Sequence, residues 1–203
     1  SKELSELATT IKEIAPEFGF NWCGISPIDL GEHGQHLQNW LDKGYHGELD
    51  YMAAHGSKRY HPEELIPNTQ SIISVRMDYL PPDVSTLTVL SQSNHAYISR
   101  YALGRDYHKV MRKRLTNMAK AIQALVGPLG FRAFVDSAPV LERAIAEKSG
   151  SGWIGKNTML INRGAGSYFF LGEIFIDLAL PADTATTKTH CGKCTSCIDL
   201  CPT

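Results

Sequence analysis

The stretch GFRAFVDSAPVLERAIAEK, residues 130–148, holds the turning point of the chain. Its first seven residues, GFRAFVD (130–136), have the aromatic and small apolar content of a strand. Ser137 and Pro139 then supply what helix starts use, a hydroxyl cap and a ring-fixed φ, so a helix is predicted from there to about Lys148. Asp136 therefore falls where a strand passes into a helix, the usual place for crevice residues in open α/β folds. Two readings of it stand side by side: a carboxylate that caps the turn, or a carboxyl that faces a ligand.

Moving outward, FNWCGIS (20–26), SIISVRMDYL (71–80), TMLINR (158–163) and SYFFLGEIFIDLAL (167–180) read as further strands. Leu4, Leu7, Ile11, Ile14 and Phe18 recur at helical spacing up to Gly19. A second helix is expected over residues 33–41, closed near Gly44, and an interrupted helical segment over 45–65, punctuated by Gly56 and Pro62. The longest helical pattern runs from Asp106 to Val126, with Val110, Met111, Leu115, Met118, Ile122, Leu125 and Val126 inward. PPDVSTLTVLSQSN (81–94) reads as a polar, mobile loop, and PADTATTKTH (181–190) as a linker. The fold class is α/β in the broad α+β sense, with no internal repeat and no regular strand–helix alternation. The linker divides the chain into residues 1–180 and 181–203.

The 203 residues, 43% hydrophobic and 20% charged, are those of an ordinary globular protein. No stretch approaches the roughly 18 apolar residues that cross a bilayer. The charged, amphipathic start SKELSELATTIKEIAPEFG is no secretory signal. A cytoplasmic location without membrane contact is the expectation, and there clustered cysteines serve metals or catalysis. The net charge of -1 hides one basic segment. Between positions 100 and 120, Arg100, Arg105, Lys109, Arg112, Lys113, Arg114 and Lys120 face a single acid, Asp106. With Tyr101 and Tyr107 interleaved, this is either a solvated helix face or a surface for an RNA backbone and unstacked bases. Arg105, Lys109, Arg112, Lys113 and Arg114 are the candidate contacts.

The chain closes on CGKCTSCIDLCPT (191–203), where Cys191, Cys194, Cys197 and Cys201 fall in C-x2-C-x2-C-x3-C spacing before Pro202. Each iron of a [4Fe–4S] cube needs a thiolate, and in two-cluster ferredoxins the fourth cysteine of this run serves the other cluster. Zinc, with His190 adjacent, and inert thiols are the alternatives. Cys23 stands alone upstream, so the ligand set for two clusters is incomplete, and the sequence is expected to stop just inside a ferredoxin-like module.

SRYALGRDYH (99–108), FVDSAPVLER (134–143), GWIGKNTMLINRGAGSYFFLGEI (152–174), the cysteine run and YHGELDYMAAH (45–55) together resemble epoxyqueuosine reductase, a cobalamin- and iron–sulfur-dependent family. The resemblance implies a nitroreductase-like cobalamin-binding domain related to reductive dehalogenases, followed by a two-cluster module. The implied reaction reduces the epoxide of epoxyqueuosine in tRNA to the cyclopentene of queuosine. Asp136, the Asp of V-D-S-A-P, becomes the implied proton donor, with Glu142 and Arg143 pairing or shaping the pocket. Arg59, Arg100, Tyr101, Trp153, Lys156, Asn157, Thr158 and Ser167 are the implied contacts to cobalamin and the substrate edge. No D-x-H-x-x-G signature is present, since Met111 holds the glycine position after Asp106-Tyr107-His108. Base-off cobalamin without a protein ligand is therefore expected. The further implications are a low-potential donor such as a flavodoxin or ferredoxin, and a monomer. Competing readings are a small-molecule corrinoid or flavin reductase, and a non-enzymatic iron–sulfur or zinc RNA-binding module.

Overall fold

The computed structural model describes residues 2–80, 85–185 and 188–202. Its elements in chain order are helix α1 (Lys2–Ile14), strand β1 (Trp22–Ser26), helices α2 (His33–Asp42) and α3 (Pro62–Leu65), and strand β2 (Ser71–Asp78). Helices α4 (Thr86–Leu90) and α5 (Tyr107–Val126), strand β3 (Phe131–Phe134) and helix α6 (Glu142–Lys148) follow. The chain then forms β4 (Trp153–Ile154), β5 (Leu160–Ile161), β6 (Phe169–Ile176) and α7 (Ser196–Asp199).

The two eight-residue strands, β2 and β6, form the centre of a sheet ordered β1-β2-β6-β3. All three pairings are antiparallel, with Ile73 opposite both Ile25 and Ile174. Period-two alternation sorts the strands between two layers. Ile25, Ile73, Val75, Ile174 and Ile176 face α1 and α5, where Ile11, Met111, Leu115, Met118 and Ile122 close the larger core. Ile72 and Phe175 face the opposite way, onto Ala144 and Ile145 of α6. Gly172 lets α5 lie close on the sheet, because a Cβ there would sit 2.9 Å from both Leu115 and Met111. After the sheet, Asp183 ties the chain back: it accepts from the Ile25 N–H at 2.8 Å and pairs with Lys12 at 2.5 Å.

The architecture is α+β, and this corrects one step of the sequence argument. The rule that crevices form at strand ends belongs to parallel sheets, and no strand pair in this sheet is parallel. Helix α6 begins at Glu142 and not at Ser137 or Pro139, because residues 137–141 are taken up by tight turns, with Ser137 N–H on Val135 C=O and Val140 N–H on Ala138 C=O. Residues 85–94 are not all loop: Ser85 caps α4 by accepting from the Thr88 N–H, while residues 81–84 lie outside the described residues, as do 186–187 of the expected linker and 203. The strand expected over 158–163 is reduced to Leu160–Ile161, and Leu125, read as inward, is 56% exposed.

Candidate active site

Helix α5 starts at the site because Asp106 caps it, accepting the His108 N–H at 3.0 Å. The same carboxylate oxygen lies 3.0 Å from His108 Nδ1. Tyr107, between them in sequence, stacks flat on Phe170 of β6, with ring centroids 4.0 Å apart and planes within 9°.

Asp136 meets these side chains from the loop after β3. Its φ is +52°, and the Ser137 N–H to Val135 C=O bond of 2.6 Å makes it the middle residue of a γ-turn. A non-glycine residue held in this region costs about 1–3 kcal/mol, so its partners must fix it. The Asp136 N–H donates to Glu142 Oε1 at 2.6 Å. Its carboxylate accepts from the Tyr107 hydroxyl at 2.5 Å and lies 3.0 Å from His108 Nε2.

His108 thus stands between two carboxyl groups. A neutral imidazole has one N–H, so both contacts are hydrogen bonds only if the ring is charged or one acid is protonated. The hydrogen bond from His108 holds Asp106 below the usual carboxylate range. Asp106 therefore stays ionised and serves as the acceptor that orients the His108 ring. Burial first, and then the bond to Asp136, push the Tyr107 phenol up, so it remains a donor. Tyr107 also borders a cleft of about 510 Å³ lined by Tyr79, Arg100, Tyr101, Arg114 and Phe170.

The cysteine run lies against the β4–β5 turn. Lys156 Nζ donates to the carbonyls of Gly192 and Cys194, both at 2.9 Å, and Trp153 meets His190 edge-to-face at 4.9 Å. None of the four cysteines is in a disulfide. The Lys156 backbone N–H, and then the Trp153 indole, favour the thiolate of Cys191, although the indole is not aligned as a full hydrogen bond. Ser196 does the same for Cys194. Among the described residues no three His, Cys, Asp or Glu side chains converge as a single metal ion requires, so there is no preformed zinc site.

The description "Epoxyqueuosine reductase QueG, DUF1730" belongs to the family model that matches residues 59–137. An epoxyqueuosine reductase of Pseudomonas aeruginosa is 63% identical over 199 residues, which is 98% of this chain and 55% of that protein. Over nearly its whole length the chain is similar to epoxyqueuosine reductases. It spans about half the length of the curated relatives it matches. The crystal structure of an epoxyqueuosine reductase with an epoxyqueuosine-modified tRNA-Tyr stem loop superposes with a TM-score of 0.83 at 25% identity, over 98% of this chain and 52% of that one. A Bacillus subtilis epoxyqueuosine reductase, crystallised with an aspartate-bearing catalytic loop swung out of the active site, gives 0.84 at 25% identity, over 98% and 52%.

Only some of the expected site residues converge. Arg100 and Tyr101 line the cleft, Asp136 adjoins it through its bond to Tyr107, and Trp153 and Lys156 meet the cysteine loop instead. Asn157 accepts from the Met159 N–H, Thr158 has φ +63° and its carbonyl accepts from Arg143, and Ser167 lies half-buried just before β6. Arg59 is elsewhere: it is 8% exposed and donates to the carbonyls of Ala54 and Tyr51, bracing its own segment. Glu142 and Arg143 do not pair with each other, since Glu142 binds Asp136 and Arg143 binds Thr158. Among the basic residues, Arg105, Lys109, Arg112 and Lys113 are exposed, but Arg114 donates to the Gly19 carbonyl and faces Met77. Sequence reasoning missed Tyr107 and His108, which it read as a base-stacking ring and a failed cobalt-ligand motif. The available signal was Asp-Tyr-His directly at a helix start, where a capping acid orients the histidine.

Donor chemistry fits the implied groups. The buried Nε and Nη2 of Arg100 have no protein partner, as a site for a polar, amide-bearing cofactor would offer. Four clustered cysteines outside any disulfide, two of them favoured as thiolates, suit an iron–sulfur centre.

Proposed function

We propose that the chain carries the reductase site of an epoxyqueuosine reductase, which converts the epoxide of epoxyqueuosine in tRNA into the cyclopentene of queuosine. The balance is epoxide plus two electrons and two protons, giving the alkene and water. Base-off cobalamin would supply the two electrons at the epoxide carbon, recharged through [4Fe–4S] clusters by a low-potential donor such as a flavodoxin or ferredoxin. Arg100, Tyr101 and the cleft around them would hold the cofactor and the substrate edge, and Cys191, Cys194, Cys197 and Cys201 would ligate iron.

The observation that carries this reading is the Asp136 carboxyl held between the Tyr107 hydroxyl and His108 Nε2. Opening an epoxide leaves an alkoxide, which departs only once protonated. Asp136 delivers the first proton to that oxygen, and His108, 3.0 Å away and oriented by Asp106, returns a proton to Asp136. Tyr107 keeps the carboxyl aimed, and its stacking on Phe170 fixes its own place. The catalytic loop seen swung out in the Bacillus subtilis relative agrees with a donor on a turn rather than on a strand.

The test is anaerobic reconstitution of the complete protein with cobalamin and iron, followed by reaction with an epoxyqueuosine-bearing tRNA stem loop. Base-off corrin bands and formation of queuosine are expected. Flavin bands in place of corrin bands would favour a flavin reductase. Corrin bands without conversion would leave a corrinoid reductase of another substrate.

A further inference from the structure

Asp136 owes its orientation to a second acid beneath it. Glu142 is the first residue of α6, yet its Oε1 accepts from a backbone N–H six residues upstream, outside its own helix. It is therefore not a helix cap. Below it lies Glu173, in the middle of the sheet on β6, opposite Ser74 and Phe134 and wholly buried. No protein group makes a hydrogen bond of full geometry to either oxygen of Glu173, and Glu142 is its electrostatic neighbour. Two carboxyls so placed cannot both ionise. Burial raises both; the Asp136 N–H, Glu173 and Arg143 favour charge on Glu142 and the Asp136 carboxylate opposes it, while Glu142 drives Glu173 further up. Glu173 is the more firmly protonated of the two, and when Glu142 is ionised its bond to the Asp136 N–H is charge-assisted.

We propose that Glu142, supported by the buried carboxyl of Glu173, is a positioning residue that fixes the left-handed turn at Asp136 and so aims the Asp136 carboxyl at Tyr107 and His108. The proposal rests on the reading of Asp136 as proton donor. It references the donor to β6, a central strand of the sheet, through two side chains, although the donor itself stands on a strained turn. Without the acceptor, the γ-turn loses the contact that offsets its strain, and Asp136 turns away from the cleft.

Two readouts test it. In the chain without cofactor, Glu142→Ala should speed hydrogen exchange at the Asp136 amide by about 10–100-fold, the loss expected for one bond to a charged acceptor. Glu142→Gln keeps a carbonyl acceptor and should restore most of the protection. In the reconstituted enzyme, Glu142→Ala should lower kcat by a similar factor with KM for the tRNA stem loop unchanged, and Glu142→Gln should recover most of kcat. Unchanged amide exchange in Glu142→Ala, or a Gln variant as impaired as the Ala variant, overturns the proposal. Exchange that responds while kcat does not overturns the positioning role. If the Ala variant does not fold, Glu173→Met removes the support without touching Glu142, and wild-type exchange in that variant sinks the idea. A wild-type enzyme that leaves epoxyqueuosine intact would refute the proposed reaction, and the exchange data would still decide what holds Asp136.

Discussion

Around Asp136, side chains from α5, the β3–α6 turn, α6 and β6 meet within hydrogen-bond or stacking distance. The four cysteines instead lie in one segment of the chain, three of them exposed and none in a disulfide. At the end proposed to supply the proton, geometry is set by the sheet and its helices. At the end proposed to carry electrons, the fold contributes an anchor, Lys156 on two backbone carbonyls. A proton donor acts only within hydrogen-bond reach of the oxygen it serves. Thiolates on a short loop are drawn into place by the metal they bind, because ligand binding and local folding are coupled.

The sharpest way to break this contrast is Asp136→Asn. The amide keeps the shape and can still accept from Tyr107, but it carries no transferable proton. Epoxide reduction should fall roughly 10²–10⁴-fold in a single-turnover assay with reduced cobalamin, with cobalamin and RNA binding unchanged. Near-wild-type turnover would make Asp136 a turn residue only and remove the difference between the two ends.

The same contrast decides what the sequence could reveal. The four cysteines could be named as candidate ligands from the sequence because their pattern is one of local spacing. Helix α5 was legible too, since Asp106 caps one end, Gly127 closes the other and the apolar stripe lies between. The link from Tyr107 and His108 to Asp136 was not, because those partners are 29 and 28 residues apart and meet only through the antiparallel β6–β3 pairing and the α5 packing. Nor could the sequence tell a free arginine from a spent one. Arg59 and Arg114 look like ligand-seeking charges in the chain, yet each is turned onto backbone carbonyls. Glu142 was singled out as a partner of Arg143 or a pocket residue, but its bond to the Asp136 N–H was not legible, as that N–H is presented only by a turn that most residues avoid.

A smaller effect is expected at the electron end. Lys156→Met removes two charge-assisted bonds to the cysteine loop while sparing every thiol. Limited proteolysis within residues 188–202 should speed by about tenfold, while amide exchange at Asp136 stays put. An unchanged cleavage rate would mean that Trp153 and His190 hold the loop without the lysine.

The buried acids give a pH-dependent test of the proton end. Glu142 and Glu173 are both raised, mainly by burial, so the folded state keeps a proton that the unfolded chain releases near the ordinary glutamate value. The contribution is therefore full at low pH and is lost as pH rises through the folded range. Stability should decline by up to about 1.4 kcal/mol per pH unit for each proton the folded state retains. Glu173→Gln should flatten this slope in denaturant titrations between roughly pH 5 and 8. A slope that survives the substitution would place the retained proton elsewhere.

The smallest expected effect concerns the exposed face of α5, the helix whose first turn carries Tyr107 and His108. If RNA runs along this face, it is led to the Asp136 end and not to the cysteines. Arg112 and Lys113 are exposed and Arg114 is not, so the three basic residues form a fan around the helix rather than one stripe. Replacing Arg112 and Lys113 with alanine should weaken tRNA stem-loop binding a few-fold at moderate salt. Two lost phosphate contacts should also flatten the plot of log affinity against log salt by about 1.4–1.8. Arg114→Ala should leave that slope alone and lower stability by about 1 kcal/mol, through loss of its bond to the Gly19 carbonyl. A helix face that is merely solvated predicts the reverse for the double variant: no change in slope and no change in affinity. If Arg114→Ala alone flattens the slope, the RNA enters through the cleft beside Tyr101 and Tyr107, and the basic face of α5 plays no part in bringing the substrate to Asp136.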